Sequence, residues 1–388
     1  MNDMTTEKQN KRPNVPPLRF PEFNDEWQHV KLGSLAIKVG SGSTPRGGNS
    51  VYTKAGHCFV RSQNVGMGIL FLNDIVYIDE RTHQKQKSTE IKENDVLLNI
   101  TGASIGRTAI ATKEIDGGNV NQHVCIIRVR ESVVPNFICY YIQLPKTQKY
   151  IQSLQTGGSR EGLNFDQVRS FPISLPVGIE QSKIVQFLGL LDRRISVQNK
   201  IIEDLRQLKS ALSTTLFSNI NYETIKLGEI CSITTGKLDA NAMVDNGEYP
   251  FFTCAEQVYK IDKYSFDSEA LLISGNGANV GYIHYYRGKF NAYQRTYVLS
   301  DFKTNIFYIK FYLDKYLHSR IEQEKNTGNT PYILMSTLSE MKIKIPKSEQ
   351  QNIIIEILSS ISNKIEIEQQ LIILFNHQKK YLLQAMFI

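Results

Sequence analysis

Between Gly178 and Ser218 the chain places Ile184, Leu188, Leu191, Ile195, Gln198, Ile202, Leu205, Lys209, Leu212 and Leu216 at alternating steps of four and three. Adding 170 to each number gives Ile354, Leu358, Ile361, Ile365, Glu368, Ile372, Phe375, Lys379, Leu382 and Met386, in the last stretch from Ser348 to Ile388. Eight of the ten positions are apolar in both copies, and the two polar positions coincide. A spacing of 3.5 residues is the seam of a coiled coil. Neither stretch contains proline, so each predicts a helix of about 35 residues, or roughly 50 Å at 1.5 Å per residue. A single apolar seam on so long a helix needs a partner, and each copy is the partner of the other. Ser348 with Gln351 reads as a capping box after Pro346, and Gly178 takes the same place in the first copy.

Working outward, the repeat extends over nearly the whole chain. Trp27-Gln28-His29-Val30-Lys31-Leu32-Gly33 matches Tyr222-Glu223-Thr224-Ile225-Lys226-Leu227-Gly228. Leu97-Leu98 with Ala103–Gly106 matches Leu271-Leu272 with Ala278–Gly281, and Asn119, Gln122 and His123 match Asn291, Gln294 and Arg295. The offset falls from 195 at Trp27/Tyr222 to 170 at the helices, so the first globular stretch is 25 residues longer, mostly between Gly40 and Asp95. The order is a disordered tail over 1–17, a globular domain over 18–177, a helix over 178–219, a second globular domain over 220–346 and a helix over 347–388. Strands are expected at Phe59–Ser62, Ile69–Ile78, Val96–Ile100, Thr108–Ala111, Val124–Val129 and Phe171–Leu175, with one helix over Phe137–Leu154. The second copy offers strands at Pro250–Thr253, Leu271–Ser274, Tyr282–Tyr286 and Tyr297–Leu299, and a helix over Phe307–Glu324. The fold class is α+β: two similar mixed domains in tandem, separated by two long helices. The link from Phe217 to Lys226 reaches roughly 30 Å when extended, too short to return along a 50 Å helix. An antiparallel coiled coil with pseudo-twofold symmetry follows as the expectation.

The chain has 388 residues, 41% of them hydrophobic and 21% charged, and a net charge of +7. That balance is compatible with a nucleic-acid partner without requiring one. The five cysteines are scattered, with no Cys-x-x-Cys pair and no His-Glu-x-x-His, so neither a disulfide framework nor a metal site is expected, and a reducing cytoplasm fits. The N-terminal stretch lacks the apolar core of a signal peptide, and there is no membrane-spanning run. No phosphate-binding loop, methyltransferase motif or nucleophile–base pair stands out, so no catalytic residues are assigned. Gly275-x-Gly277-x-x-x-Gly281 misses the spacing of a dinucleotide loop.

The loops carry a different chemistry. Small residues alternate with Arg, Lys, Asn, Gln, His and hydroxyls, the groups that approach phosphates and fork to base edges. Candidate DNA-facing residues in the first copy are Thr44, Arg46, Arg61, Asn64, Ser104, Arg107, Gln122, His123 and Arg160. In the second they are Lys237, Asn276, Asn279, Gln294, Arg295 and Asn329. Ordinary turn chemistry accounts for any one of these loops taken alone. Their recurrence in both copies is what points to binding.

The Leu18–Trp27 opening, the paired Lys-Leu-Gly starts, the Thr-Gly loops and the run Pro176-x-x-x-Glu180-Gln181-Ser182-Lys183-Ile184-Val185-Gln186-Phe187-Leu188, with its counterpart from Pro346, resemble the DNA-specificity subunit of Type I restriction–modification systems. The resemblance covers nearly the whole chain. It implies a non-catalytic subunit in which each globular domain is a target recognition domain reading half of a bipartite site on double-stranded DNA. It implies that the seam helices fix the spacing and dock two methyltransferase subunits, with motor-nuclease subunits in the full complex. S-adenosylmethionine, ATP and Mg²⁺ would be used by those partners and none bound by this chain. A stand-alone bipartite DNA-binding or protein-scaffolding module is the alternative, and an enzyme with its own methylase or nuclease chemistry is a further one.

Overall fold

The computed structural model describes residues 14–155, 162–218, 222–324 and 332–388. Arg160, Asn329 and the Gly157–Arg160 and Thr327–Pro331 loops lie outside the described residues, as do residues 1–13. The rest of the expected tail is structured: Pro16 is buried and the Trp27 amide donates to Asn14 O at 2.9 Å. No helix among the described residues is long and apolar enough to cross a membrane.

The chain forms two compact units, Met1–Val197 with Ile373–Ile388, and Gln198–Ile372. The central helix, Gly178–Ser218, and the terminal helix, Ser348–Ala385, each contribute to both. All twenty seam positions are buried or half-buried. In the first unit the pair runs antiparallel: Asp192 meets Lys379, and Arg194 lies over Phe375 further along. In the second unit one of the two coincident polar pairs meets across the seam, Gln198 donating to Glu368. Lys364 then holds the Glu368 carboxyl below the usual carboxylate range. A buried polar pair of this kind fixes the register of a coiled coil.

Both helices enter in the same way. Gln181 donates to Pro176 O at 2.8 Å while its carbonyl accepts from the Val134 amide. Gln351 donates to Pro346 O at 2.9 Å while its carbonyl accepts from Thr304. The glutamine of the repeated motif therefore ties the closing strand to the start of a helix in its own domain. It is not the return arm of a capping box. The first copy adds a clamp: Arg19 pairs with both oxygens of the fully buried Glu180 at 2.7 and 2.8 Å, and Trp27 Nε1 donates to the same carboxylate.

The helix ends are plugged by aromatic cages. Phe387 has ring centroids 5.0 Å from Phe137, 6.0 Å from Tyr141 and 6.2 Å from Trp27. Phe217, which stands 170 residues earlier, lies 5.8, 5.4 and 6.0 Å from Tyr308, Tyr312 and Tyr316. Each unit is thus completed by the end of the helix that follows the other globular domain in sequence.

The sheets repeat as well. In the first unit Ala36–Ser41, Val124–Val129, Val96–Asn99 and Thr108–Ile110 form a sheet in that spatial order, and Val76–Ile78, His57–Val60 and Asn119–Val120 form another. The second unit fuses the two: Ser232–Thr235, Thr296–Ser300, Phe266–Ser274, Ile283–Ala292, Tyr249–Phe252 and Tyr259–Ile261 make one six-stranded sheet. Ile283–Ala292 runs unbroken where the first unit turns at Lys113–Ile115 and Gly117. Gln28–Lys31 pairs with Pro172–Leu175, and Tyr222–Lys226 with Lys342–Pro346.

Two local expectations change. The strand at Ile69–Ile78 shrinks to Val76–Ile78, because the Gly66 amide turns back to Ile69 O and leaves Ile69 and Phe71 exposed. The helix over Phe137–Leu154 is two, Pro135–Gln143 and Pro145–Ser153. Pro145 forces Leu144 into an extended conformation and then opens the second helix at its first turn.

Phe217→Ala or Phe387→Ala should each cost about 3–5 kcal/mol, since each empties a filled aromatic cage. Urea unfolding of the full chain measures this. A loss below about 1 kcal/mol for both would mean that the cages close without their plugs.

Candidate nucleic-acid interface

Three loops meet in the first unit. After Val96–Asn99 the chain makes a tight tip in which Gly102 and Gly106 take positive φ of 69° and 86°. The tip is closed by Gly106 N–H to Asn99 O and Ile105 N–H to Gly102 O, both 3.0 Å. The loop after Ala36–Ser41 presses on the end of Asn119–Val120 so closely that a Cβ on Gly42 would lie 1.8 Å from Val120 O. That approach delivers Thr44, whose amide donates to Gln122 Oε1 at 3.0 Å and whose hydroxyl donates to the same oxygen. An amide N–H can only donate, so the Gln122 carboxamide orientation is settled. Its Nε2 then donates to His123 Nε2 at 3.0 Å, which places the imidazole proton on Nδ1, facing the Thr101 hydroxyl. Thr44, Gln122, His123 and Thr101 form one hydrogen-bonded chain beside the tip that carries Ser104.

The second unit repeats the backbone and changes the side chains. Its tip follows Phe266–Ser274, with Gly277 and Gly281 at φ of 82° and 85° and Gly281 N–H on Ser274 O at 2.8 Å. A Cβ on Gly236 would lie 1.9 Å from Ala292 O. Gln294 takes the Gln122 place: its amide N–H donates to Leu238 O and its side chain to Asp239 at 2.7 Å. Gly275 N–H donates to Arg295 O at 2.8 Å, and Asn279 donates to Cys254 O. A cleft of about 250 Å³ opens between Gly275, Gln294, Arg295, Tyr297 and Ile333. Lys237, Gln294 and Arg295 are exposed, and Asn276 and Asn279 are half-buried at the tip.

Most candidates therefore gather around a shared site in each unit. Arg46 and Arg107 are exposed, on the turn after Thr44 and at the foot of the tip. Arg61 is turned inward, donating to Asp74 O at 2.7 Å. Asn64 is a correction: it is 0% exposed, its amide donates to Phe71 O and Asp74, and its carbonyl accepts from Arg61 N–H. It holds its own loop and presents nothing to a ligand. Thr101 and Asp239 lie outside the candidate set; Thr101 sits next to the tip glycine Gly102, which marks it, whereas Asp239 is three residues past Gly236 and only the fold brings it to Gln294. At the Gln122/Gln294 and His123/Arg295 positions the first site presents a neutral hydrogen-bonded chain, flanked by the exposed Arg46 and Arg107, whereas the second presents the cation Arg295, with Lys237 exposed nearby. Arg forks to guanine, and Gln or Asn to adenine.

Residues 24–207 and again residues 219–375 match the Type I restriction modification DNA specificity domain. The chain belongs to that family. It carries two such domains in tandem. Among relatives, it is 38% identical over 149 residues to the Type I restriction enzyme EcoDI specificity subunit of Escherichia coli, a match covering 38% of this chain and only 32% of that one. It is 22% identical to the MjaVIII specificity subunit of Methanocaldococcus jannaschii over 91% of this chain and 89% of that one. The crystal structure of the S subunit from M. genitalium superposes with a TM-score of 0.65 at 17% identity, covering 96% of this specificity chain and 99% of that one.

Gly42→Ala or Gly236→Ala should displace the first loop of its site, because a methyl cannot share space with a backbone carbonyl. The expected cost is about 1–3 kcal/mol, read as a lowered midpoint in urea. A variant of unchanged stability would show that the close approach is not required.

Proposed function

We propose that this chain is the non-catalytic specificity subunit of a Type I restriction–modification complex, each unit reading one half of a bipartite duplex DNA site. One observation carries the reading: the same three-loop site is built twice on the same backbone with different side chains. A shared backbone supports a common mode of approach to a groove. Different side chains support different bases, with Arg295 suited to a guanine O6/N7 pair and the Thr44–Gln122–His123 chain to a neutral pattern. Methyl transfer, with S-adenosylmethionine, belongs to two methyltransferase subunits, and ATP- and Mg²⁺-dependent cleavage to motor-nuclease subunits.

The helices provide for docking. The seam residues are covered by the pairing, but a second stripe is open: Phe187, Leu190, Val197, Ile201 and Leu208 on the central helix, and Ile353, Ile367, Leu374 and Tyr381 on the terminal one. Each stands immediately before a seam residue, so each stripe keeps the heptad spacing. Leu190 is 58% exposed and Leu374 60%. Apolar stripes of this kind, interrupted by Arg194 and Asp204 on the central helix and by Lys364 on the terminal one, suit partner helices with complementary charges.

Arg295→Ala in the assembled complex should relax or change one half-site and leave the other intact, at about 1–3 kcal/mol of discrimination. Mapping methylated adenines in cells that carry the complex with and without the substitution reads this directly. A change in both half-sites, or in neither, counts against independent reading by the two units.

A further inference from the structure

Lys209 and Lys379 hold the same position in the two long helices, but their surroundings differ. In the first unit Lys379 Nζ lies 2.5 Å from Asp192 Oδ1, and Tyr140 donates to Asp192 Oδ2 at 2.7 Å, so the charge is neutralised within the chain. The residue 170 positions after Asp192 is Ser362, whose hydroxyl turns back to Leu358 O. Lys209 thus has a serine where Lys379 has a carboxylate. It is half-buried, with Nζ 5.4 Å from the centre of the Phe311 ring, and burial pushes its pKa below the ordinary lysine value. Lys310 lies 5.9 Å from the same ring, and Lys315 Nζ donates to Thr214 at 2.6 Å. Asp314, the carboxylate of this cleft, is already paired with Lys310 at 2.8 Å. With Arg206 at the rim, Lys209, Lys315 and Asp314 line an open cleft of about 480 Å³ with an excess of positive charge.

We propose that this cleft is a phosphate site, taking a backbone phosphate of the duplex whose bases the loops of the second unit read. The inference rests on the proposed DNA-reading function. A nucleic-acid partner is favoured over a protein one by two observations. The first is the place of the cleft on the helix Ile306–Glu324. Ile321 of that helix abuts the reading tip, since a Cβ on Gly281 would lie 2.8 Å from Ile321 Cδ1. Asp314 is seven residues earlier, roughly 10 Å along the axis, a span of about three base pairs at 3.4 Å each. The second is the side of the seam. Arg206, Ser210 and Ser213 each follow a seam residue, while the open apolar stripes precede them. The cleft therefore lies on the flank away from the proposed protein docking stripe.

The test uses the full chain assembled with its methyltransferase subunits, with duplex binding measured across a salt series. Lys209→Met keeps the aliphatic stem in the seam and removes the charge, and Ser362→Asp supplies the counter-charge that the first unit has at Asp192. Each should make the slope of log K against log salt shallower by about 0.9, the loss of one phosphate contact, with half-sites and assembly unchanged. Slopes unchanged in both variants overturn the proposal. Weakened assembly with an unchanged slope also overturns it and assigns the anion to a protein partner. If the wild-type complex fails to prefer a bipartite site, the DNA-reading function fails. A slope change of that size on unrelated duplex would still support the phosphate contact.

Discussion

A helix of about forty residues with one apolar seam cannot stand alone in water, and that constraint governs this chain. Burying such a seam removes roughly 25 cal/mol of unfavourable hydration per Å² of apolar surface, and only another helix of similar length and spacing can cover it along its whole run. The pairing makes the polar seam positions useful. Gln198 and Glu368 satisfy each other, so a shift along the seam would strand two buried polar side chains. Apolar contacts alone tolerate sliding; this pair does not.

The same helices complete the globular units. Phe217 and Phe387 fill cages built by Tyr308, Tyr312 and Tyr316 on one side and by Trp27, Phe137 and Tyr141 on the other. The first unit's core therefore depends on chain that lies beyond the second globular domain in sequence, and the second unit's core on the end of the helix that leads into it. The buried Glu180 with Arg19 and Trp27 fastens the N-terminal segment to the same structure, and its removal from either side would leave a charge without its partner.

At the candidate loops the division of labour is between backbone and side chain. Gly42 and Gly236 allow one strand end to touch another loop, and the tip glycines allow two tight turns at positive φ. These features are common to both units and set where side chains can reach. What reaches outward then differs: His123 in one unit stands where Arg295 stands in the other. A scaffold repeated in this way can change its ligand at one site without disturbing the other.

The sequence by itself determined the repeat, the seam and the long helices, because periodicity is a local property that a single chain displays without its partners. It also marked the candidate loops, since glycine next to Arg, Gln and hydroxyls recurs at matched positions. Tertiary structure decided which polar residues are free. Asn64 looked like a reader of bases and is spent inside its own loop, and Gln351 looked like a helix cap and ties a strand instead. It also decided that the open stripe beside the seam, and not the seam, faces outward. The reasons differ: the partners of Asn64 and Gln351 are set by how a loop or a chain segment folds back on itself, which residue type does not show, and the helix that covers the seam stands 170 residues away in sequence.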